Sequence, residues 1–234
     1  QAGYKNTVLT ASKTLTISHP GGQKTISSGG GSGGGGSTPV IPKVETKAAE
    51  FLDLDDVAWA KESIKNLYSI GAINGKFENI FAPQDFVTRA EFTKIVLLAF
   101  GYSAQNSSDE IFSDVKKDDW FYLYIMTAYK MGIVNGAAET AFEPNARIKR
   151  EQMAVIIARL LKNTQSADKL LFQDHSEISD YAREAVYKMR GLGLINGSGD
   201  NDFIPKGNAT RAEAAKIIDN ARLYVENNQG GFGE

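Results

Sequence analysis

The sequence predicts an all-α domain of three tandem repeats arranged with pseudo-threefold symmetry, and three observations carry that expectation. The first is a fixed period. Arg89, Arg150 and Arg211 are separated by 150−89 = 61 and 211−150 = 61 residues, and Pro83/Pro144/Pro205, Phe81/Phe142/Phe203 and Gly75/Gly136/Gly197 keep the same interval. Such self-similarity marks units that bury a face against one another. The second is an apolar stripe at i, i+3, i+4, i+7 late in each copy: Phe92, Ile95, Val96, Ala99, then Met153, Ile156, Ile157, Leu160, then Ala214, Ile217, Ile218, Ala221. That spacing lies on one helical face. The third is "TRAE" at 88–91 and again at 210–213, where a Thr followed three residues on by Glu is a capping box that opens a helix.

In chain order, residues 1–28 are polar and partly alternating ("NTVLTASKTLTIS"), and read as a β-rich tail of a preceding domain or a cloning remnant. Residues 29–49 form a Gly/Ser/Pro linker around "GGGSGGGGS". The repeats are placed at 50–109, 110–170 and 171–226, with a disordered tail expected over 227–234. With no initiator Met and no signal peptide, the chain reads as a piece of something longer.

Each repeat opens on Phe-x-Asp, as "FLD" (51–53), "FSD" (112–114) and "FQD" (172–174), with one extra residue inside the third copy. A first helix is expected from Trp59, Trp120 or Tyr181 to Gly71, Gly132 or Gly193. "INGKFENIFAP", "VNGAAETAFEP" and "INGSGDNDFIP" follow as turns in which Asn-Gly is expected to supply positive φ. The second helix starts at "TRAE" or, in the middle copy, at "KREQ" (149–152). There Gln152 retains one half of the capping box and Lys149 has no oxygen for the other. One such unit is small for an independent core, so the three stripes are expected to meet around a common axis.

Composition narrows the function. Of 234 residues, 26 are basic and 28 acidic, for a net charge of −2, which gives no basic face for nucleic acid. No apolar run reaches membrane-span length. Cysteine is absent, which removes disulfides, thiolate catalysis and cysteine zinc sites. His19 and His175 lie far apart, and "NGSGDNDF" (196–203) lacks the order of a calcium loop. No metal, cofactor or catalytic set is expected.

The unit F-x-D … W … G-[IV]-[IV]-N-G … F-x-P … T-R-A-E-F resembles the S-layer homology (SLH) repeat, and the triplet resembles the module that anchors bacterial surface proteins to the cell wall. The resemblance implies a three-pronged pseudo-trimer with grooves between adjacent repeats. It also implies a ligand, secondary cell wall polysaccharide carrying a pyruvate ketal on N-acetylmannosamine, and a place on the bacterial exterior. The module would be monomeric as a fragment, not inserted in a membrane, and without enzymatic activity. The alternative is a protein–protein module for S-layer lattice assembly, against which charged outer faces such as "AKESIKN" (60–66) argue.

An arginine in the first turn of a helix meets the positive end of the helix dipole, which disfavours cations by up to about 1 kcal/mol. A ligand carboxylate would account for Arg89, Arg150 and Arg211, because free N–H groups at a helix start and a guanidinium together favour an anion. The competing reading pairs each arginine with a Phe-x-Asp carboxylate of another repeat. Asp53, Asp114 and Asp174 are expected to cap the first helix, orient the arginine or accept sugar hydroxyls. Trp59 and Trp120 read first as core, with stacking on a sugar as the functional alternative. Gly75, Gly136 and Gly197 read as turn residues that also let backbone approach a ligand, and Lys149 as a further cation beside the middle helix.

Overall fold

The computed structural model describes residues 51–161 and 171–228; the expectations for 1–28, 29–49 and 229–234 lie outside them. Among the described residues there are six α-helices: α1 Ala58–Ser69, α2 Arg89–Ala99, α3 Tyr122–Lys130, α4 Arg150–Leu160, α5 Asp180–Gly191 and α6 Arg211–Asn228. Each repeat contributes one odd- and one even-numbered helix. Helix α6 runs through residues 227 and 228, which were expected to belong to the tail. Among the described residues β-structure is confined to isolated bridges.

The odd helices end alike. Gly71, Gly132 and Gly193 adopt φ of +73°, +70° and +69°. The Gly71 N–H donates to the Tyr68 carbonyl and the Ala72 N–H to the Leu67 carbonyl, both at 2.9 Å, which satisfies carbonyls that a helix end otherwise leaves unpaired. Positive φ therefore falls at these glycines and, within the turns that follow, at residues such as Asn79, Gly199 and Asn201, but not at the Asn-Gly pairs themselves. Gly75 is required for space instead, since a Cβ there would lie 2.7 Å from both the Ile80 carbonyl oxygen and Cε1 of Phe51.

The Phe-x-Pro turns carry a left-handed residue of their own: Ala82, Glu143 and Ile204, at φ of +59°, +57° and +56°. That conformation strains any side chain, above all a β-branched one. The Phe-x-Asp carboxylate holds it. Asp53 accepts the Phe81 and Ala82 N–H groups at 2.9 and 2.7 Å, Asp114 those of Phe142 and Glu143 at 2.8 and 2.7 Å, and Asp174 those of Phe203 and Ile204 at 2.8 and 2.6 Å. The three acids neither cap the first helix nor orient the arginine. They tie the opening of each repeat to the turn between its two helices through charge-assisted bonds.

Helices pair across repeats. Helix α2 packs on α3, α4 on α5, and α6 back on α1, while α6 also touches α2 and α4. The first helix of each repeat thus rests on the second helix of the one before it, and the third repeat closes on the first. Phe92, Val96, Ile157, Ile218 and Ala221 of the predicted stripes are wholly buried, as expected of a shared core. At its centre the backbone forms a closed ring. The Ile148 N–H donates to Val87 at 3.0 Å, Ala209 to Ile148 at 2.9 Å, and Val87 to Ala209 at 3.1 Å. Bridges Thr88–Arg147, Lys149–Asn208 and Phe86–Thr210 flank this ring.

A chain ended after residue 161 would lose α6 from α1 and open the ring. We expect such a two-repeat fragment to show no cooperative thermal transition by far-ultraviolet circular dichroism, whereas independent repeats would leave one.

Candidate functional site

Each even helix starts where its repeat meets the next one in space. In α2 the Thr88 hydroxyl accepts the Glu91 N–H at 3.2 Å and the Glu91 carboxylate accepts the Thr88 N–H at 2.8 Å; in α6 Thr210 and Glu213 repeat this at 3.2 and 2.8 Å. In α4 only half survives, with the Gln152 side-chain oxygen accepting the Lys149 N–H at 3.0 Å. The first two helical N–H groups are also engaged. Arg89 and Ala90 donate to Ala146 and Pro144 at 2.9 and 3.0 Å, Arg150 and Glu151 to Gly207 and Pro205 at 3.0 and 3.1 Å, and Arg211 and Ala212 to Asp85 and Pro83 at 2.8 and 3.0 Å. These N–H groups were expected to be open to an anion. Each is instead filled by a carbonyl of the next repeat, so the helix mouths are not the anion site.

The arginines follow the same direction. Nε of Arg89 donates to the Phe142 carbonyl at 2.9 Å and Nη2 to that of Asn135 at 3.2 Å. Arg211 reaches Phe81 at 3.0 Å and Asn74 at 2.6 Å, and Nε of Arg150 reaches Phe203 at 2.7 Å. Each guanidinium also covers the ring of that same phenylalanine, with Cζ 4.7, 4.5 and 5.4 Å from the centroid for Arg89, Arg211 and Arg150. Hydrogen bonds from a charged donor are worth about 1.5–3 kcal/mol each, more than the dipole penalty. The arginine therefore sits in the first turn because from there it stitches one repeat to the next. Its partners are carbonyls, joined at Arg150 by the Glu213 carboxylate, and not the Phe-x-Asp carboxylates. Burial draws Arg89 and Arg211 below the ordinary guanidinium value, opposed chiefly by Glu143 and Glu91 respectively.

The guanidiniums also border open cavities. One, of ≈ 480 Å³, brings Arg89 of the first repeat together with Asn135, Gly136, Gln152 and Arg159 of the second and Tyr181 of the third. The other, of ≈ 390 Å³, brings Arg150 of the second together with Asn196, Gly197, Glu213 and Lys216 of the third and Trp59 of the first. Position for position the two correspond. Each takes an arginine from one repeat, an Asn-Gly turn and an even helix from the next, and an aromatic from the one after. At the third junction Arg211 meets Asn74, and Lys94 of α2 lies 5.4 Å from the Trp120 ring, matching Lys216 and Trp59. Trp59 and Trp120 are each 53% exposed and Tyr181 is 60% exposed. The expectation that the tryptophans are core is overturned: Trp59, in the first turn of α1, lines a cavity, and Trp120, two residues before α3, is equally exposed.

Of the candidate residues, Arg89, Gly136, Trp59, Arg150 and Gly197 line these two cavities, and Arg211, Gly75 and Trp120 hold matching positions at the third junction. Asp53, Asp114, Asp174 and Lys149 line neither cavity. Sequence reasoning missed the asparagine before each glycine, Tyr181, Gln152, Glu213, Arg159 and Lys216, although the 61-residue period placed several of them beside residues that it singled out. It also missed Glu151. Only 2% exposed, Glu151 accepts Lys206 Nζ at 2.8 and 2.9 Å, the Ser179 N–H and hydroxyl at 3.0 Å each, and the Tyr181 hydroxyl at 3.1 Å. It fixes the aromatic wall of the first cavity. Burial and the adjacent carboxylate push Tyr181 up to about 12, so the phenol stays a donor. For Glu151 burial acts upward, but Lys206 and Ser179 outweigh it and hold the carboxyl below its usual range.

The S-layer homology domain family model matches this chain three times in tandem, over residues 50–93, 111–154 and 171–215, one match for each structural repeat. The chain belongs to the S-layer homology family. It is 41% identical over 173 residues to an amylopullulanase of Thermoanaerobacterium thermosulfurigenes, covering 72% of this chain and 9% of that one. An endoglucanase of Bacillus sp. (strain KSM-635) is 38% identical over 179 residues, covering 74% and 19%. The surface-layer 125 kDa protein of Lysinibacillus sphaericus is 29% identical over 175 residues, covering 73% and 15%. The chain thus spans less than a fifth of the length of each of these relatives. The relatives named as enzymes match this chain only through the SLH segment. The SLH triplet is a module of cell-surface anchoring, and among the described residues no helix is long and apolar enough to cross a membrane.

Two outcomes follow from this geometry. Arg89→Ala should destabilise the SLH domain by about 2–4 kcal/mol in urea unfolding, and Arg89→Lys should recover little of that, since an ammonium cannot reproduce the planar fork. Glu151 is ionised more readily folded than unfolded, so its stabilisation is present above the ordinary glutamate range and is lost as pH falls below about 4. The stability gap between wild type and Glu151→Gln should be wide at pH 7 and shrink on acidification, measured by denaturant titration at both ends.

Proposed function

We propose that this SLH triplet holds a surface protein to the bacterial cell wall, without covalent attachment, by taking pyruvylated secondary cell wall polysaccharide into the grooves between repeats. The observation that carries the reading is the composition of those grooves. Arg89 and Arg150 each spend part of their donor set on backbone carbonyls and border a cavity lined by an exposed aromatic ring. Guanidiniums favour carboxylates, and an aromatic face suits the apolar face of a pyranose while leaving an indole N–H or phenol free to bond. A pyruvate ketal presents both features on one sugar.

The asparagine and glycine of each turn suit the same ligand. Gly136 and Gly197 lack the Cβ that would lie 2.3 Å from the Ala138 carbonyl oxygen and 2.8 Å from the Asn201 backbone, so each turn folds tightly and brings backbone to the cavity lining, within reach of a sugar hydroxyl. Several grooves on one chain raise avidity along a repeating polymer, roughly 10²–10⁴-fold over a single site when the spacing permits simultaneous engagement. Binding of this kind needs no turnover, and the relatives that carry enzyme names would use the segment as an address.

The purified domain is expected to sediment with isolated cell wall sacculi and to stay in solution when the pyruvyl group has been removed from the polymer by mild acid. Equal sedimentation with walls that never carried the ketal would overturn the reading.

A further inference from the structure

The grooves differ at one position that the fold does not need to vary. The third residue of each even helix is Glu91, Gln152 or Glu213, and it faces the arginine of the preceding repeat. In one groove Glu213 forms an ion pair with Arg150. At the third junction Glu91 is the foremost charge acting on Arg211. In the remaining groove Gln152 stands beside Arg89 with no charge to offer. Its capping role does not require the amide, because a carboxylate at the same place caps α2 and α6 at 2.8 Å against 3.0 Å here.

The Arg89 groove also holds a second guanidinium. Arg159 stands where the other even helices have Leu98 and Asn220, and borders the cavity; its guanidinium donates to the Ile133 carbonyl at 3.5 Å and to the Asn135 side-chain oxygen at 3.1 Å, and among the described residues it forms no ion pair. Glu143 is the carboxylate on this lining and the foremost charge acting on Arg89, as Glu91 is for Arg211, but it is exposed and, among the described residues, neither of these two pairs closes to within 4.0 Å, whereas Arg150 and Glu213 do. In the Arg150 groove Lys216 supplies the second cation, yet the arginine itself is already matched by Glu213. An incoming carboxylate must displace that glutamate there, and meets no such competitor beside Arg89.

We propose that the Arg89–Arg159 groove is the high-affinity anion site of this protein and that Gln152 makes it so; the inference rests on the reading of the grooves as sites for an acidic sugar. The three grooves are then not equal copies. One takes the carboxylate, and the glutamate-bearing grooves bind it more weakly.

The chain carries a built-in reporter. Its two tryptophans, Trp59 and Trp120, lie at the Arg150 groove and the Arg211 junction, whereas the Arg89 groove ends in Tyr181. The domain is titrated with the methyl glycoside of pyruvylated N-acetylmannosamine, followed in parallel by calorimetry and tryptophan emission, with the pyruvate methyl ester as the uncharged control. The tightest calorimetric event should leave tryptophan emission unchanged. Gln152→Glu should weaken that event by about tenfold or more, with an unchanged melting temperature. Glu213→Gln, which tests the same idea by a gain, should bring the tryptophan response to lower ligand concentration. Tryptophan emission that tracks the tightest event, or affinities indifferent to both substitutions, would overturn the assignment while leaving acidic-sugar binding intact. No heat with the free acid would overturn both.

Discussion

A closed circuit of backbone hydrogen bonds around the pseudo-threefold axis is the constraint from which the rest of this structure follows. Val87, Ile148 and Ala209 pass one bond each to the next in turn. Just outside that ring the first two N–H groups of each even helix end on carbonyls of the following repeat. A helix start normally leaves such donors to water or to a cap. Here the neighbour supplies the acceptors, so no repeat has a satisfied backbone by itself. The pairing of α2 with α3, α4 with α5 and α6 with α1 is the side-chain expression of the same arrangement.

The arginine in the first helical turn belongs to both the fold and the site. One edge of its guanidinium is held by carbonyls and its face covers a phenylalanine of the next repeat, while the cavity lies beside it. A group fixed in this way presents its remaining donors in one orientation, which lowers the entropy lost on binding. Positions that close the ring are repeated in all three copies: the arginine, the Phe-x-Pro turn, its tethering aspartate and the crowded glycine. Cavity-lining positions outside the ring differ, as Gln152 against Glu213, Arg159 against Asn220, and Tyr181 against Trp59 do. Symmetry is imposed where the backbone needs it and relaxed where only solvent is displaced.

Much of the architecture was legible in the residues. The period located the three units, the stripes located the even helices, and Thr-x-x-Glu located their starts to the residue. The aspartates were found but misread. From sequence Asp53 has several possible partners, and nothing local shows that the Phe81 and Ala82 N–H groups will arrive beside it. The tryptophans were misread for a similar reason. Whether Trp59 is core or wall depends on which helix α1 packs against, and that partner, α6, is the most distant element in the chain. The helix mouths were read as open because the carbonyls that fill them come from another copy.

By itself, then, the sequence determined what short-range physics governs: three units, helix spans, caps, and an arginine at each even-helix start. Tertiary structure decided what each arginine touches, since its carbonyl partners lie 46 to 137 residues away, and which lining residues share a cavity. A repeat period says which positions are alike, not which copy they face. Only closure of the ring chooses that, because it alone fixes the direction in which each repeat donates its hydrogen bonds.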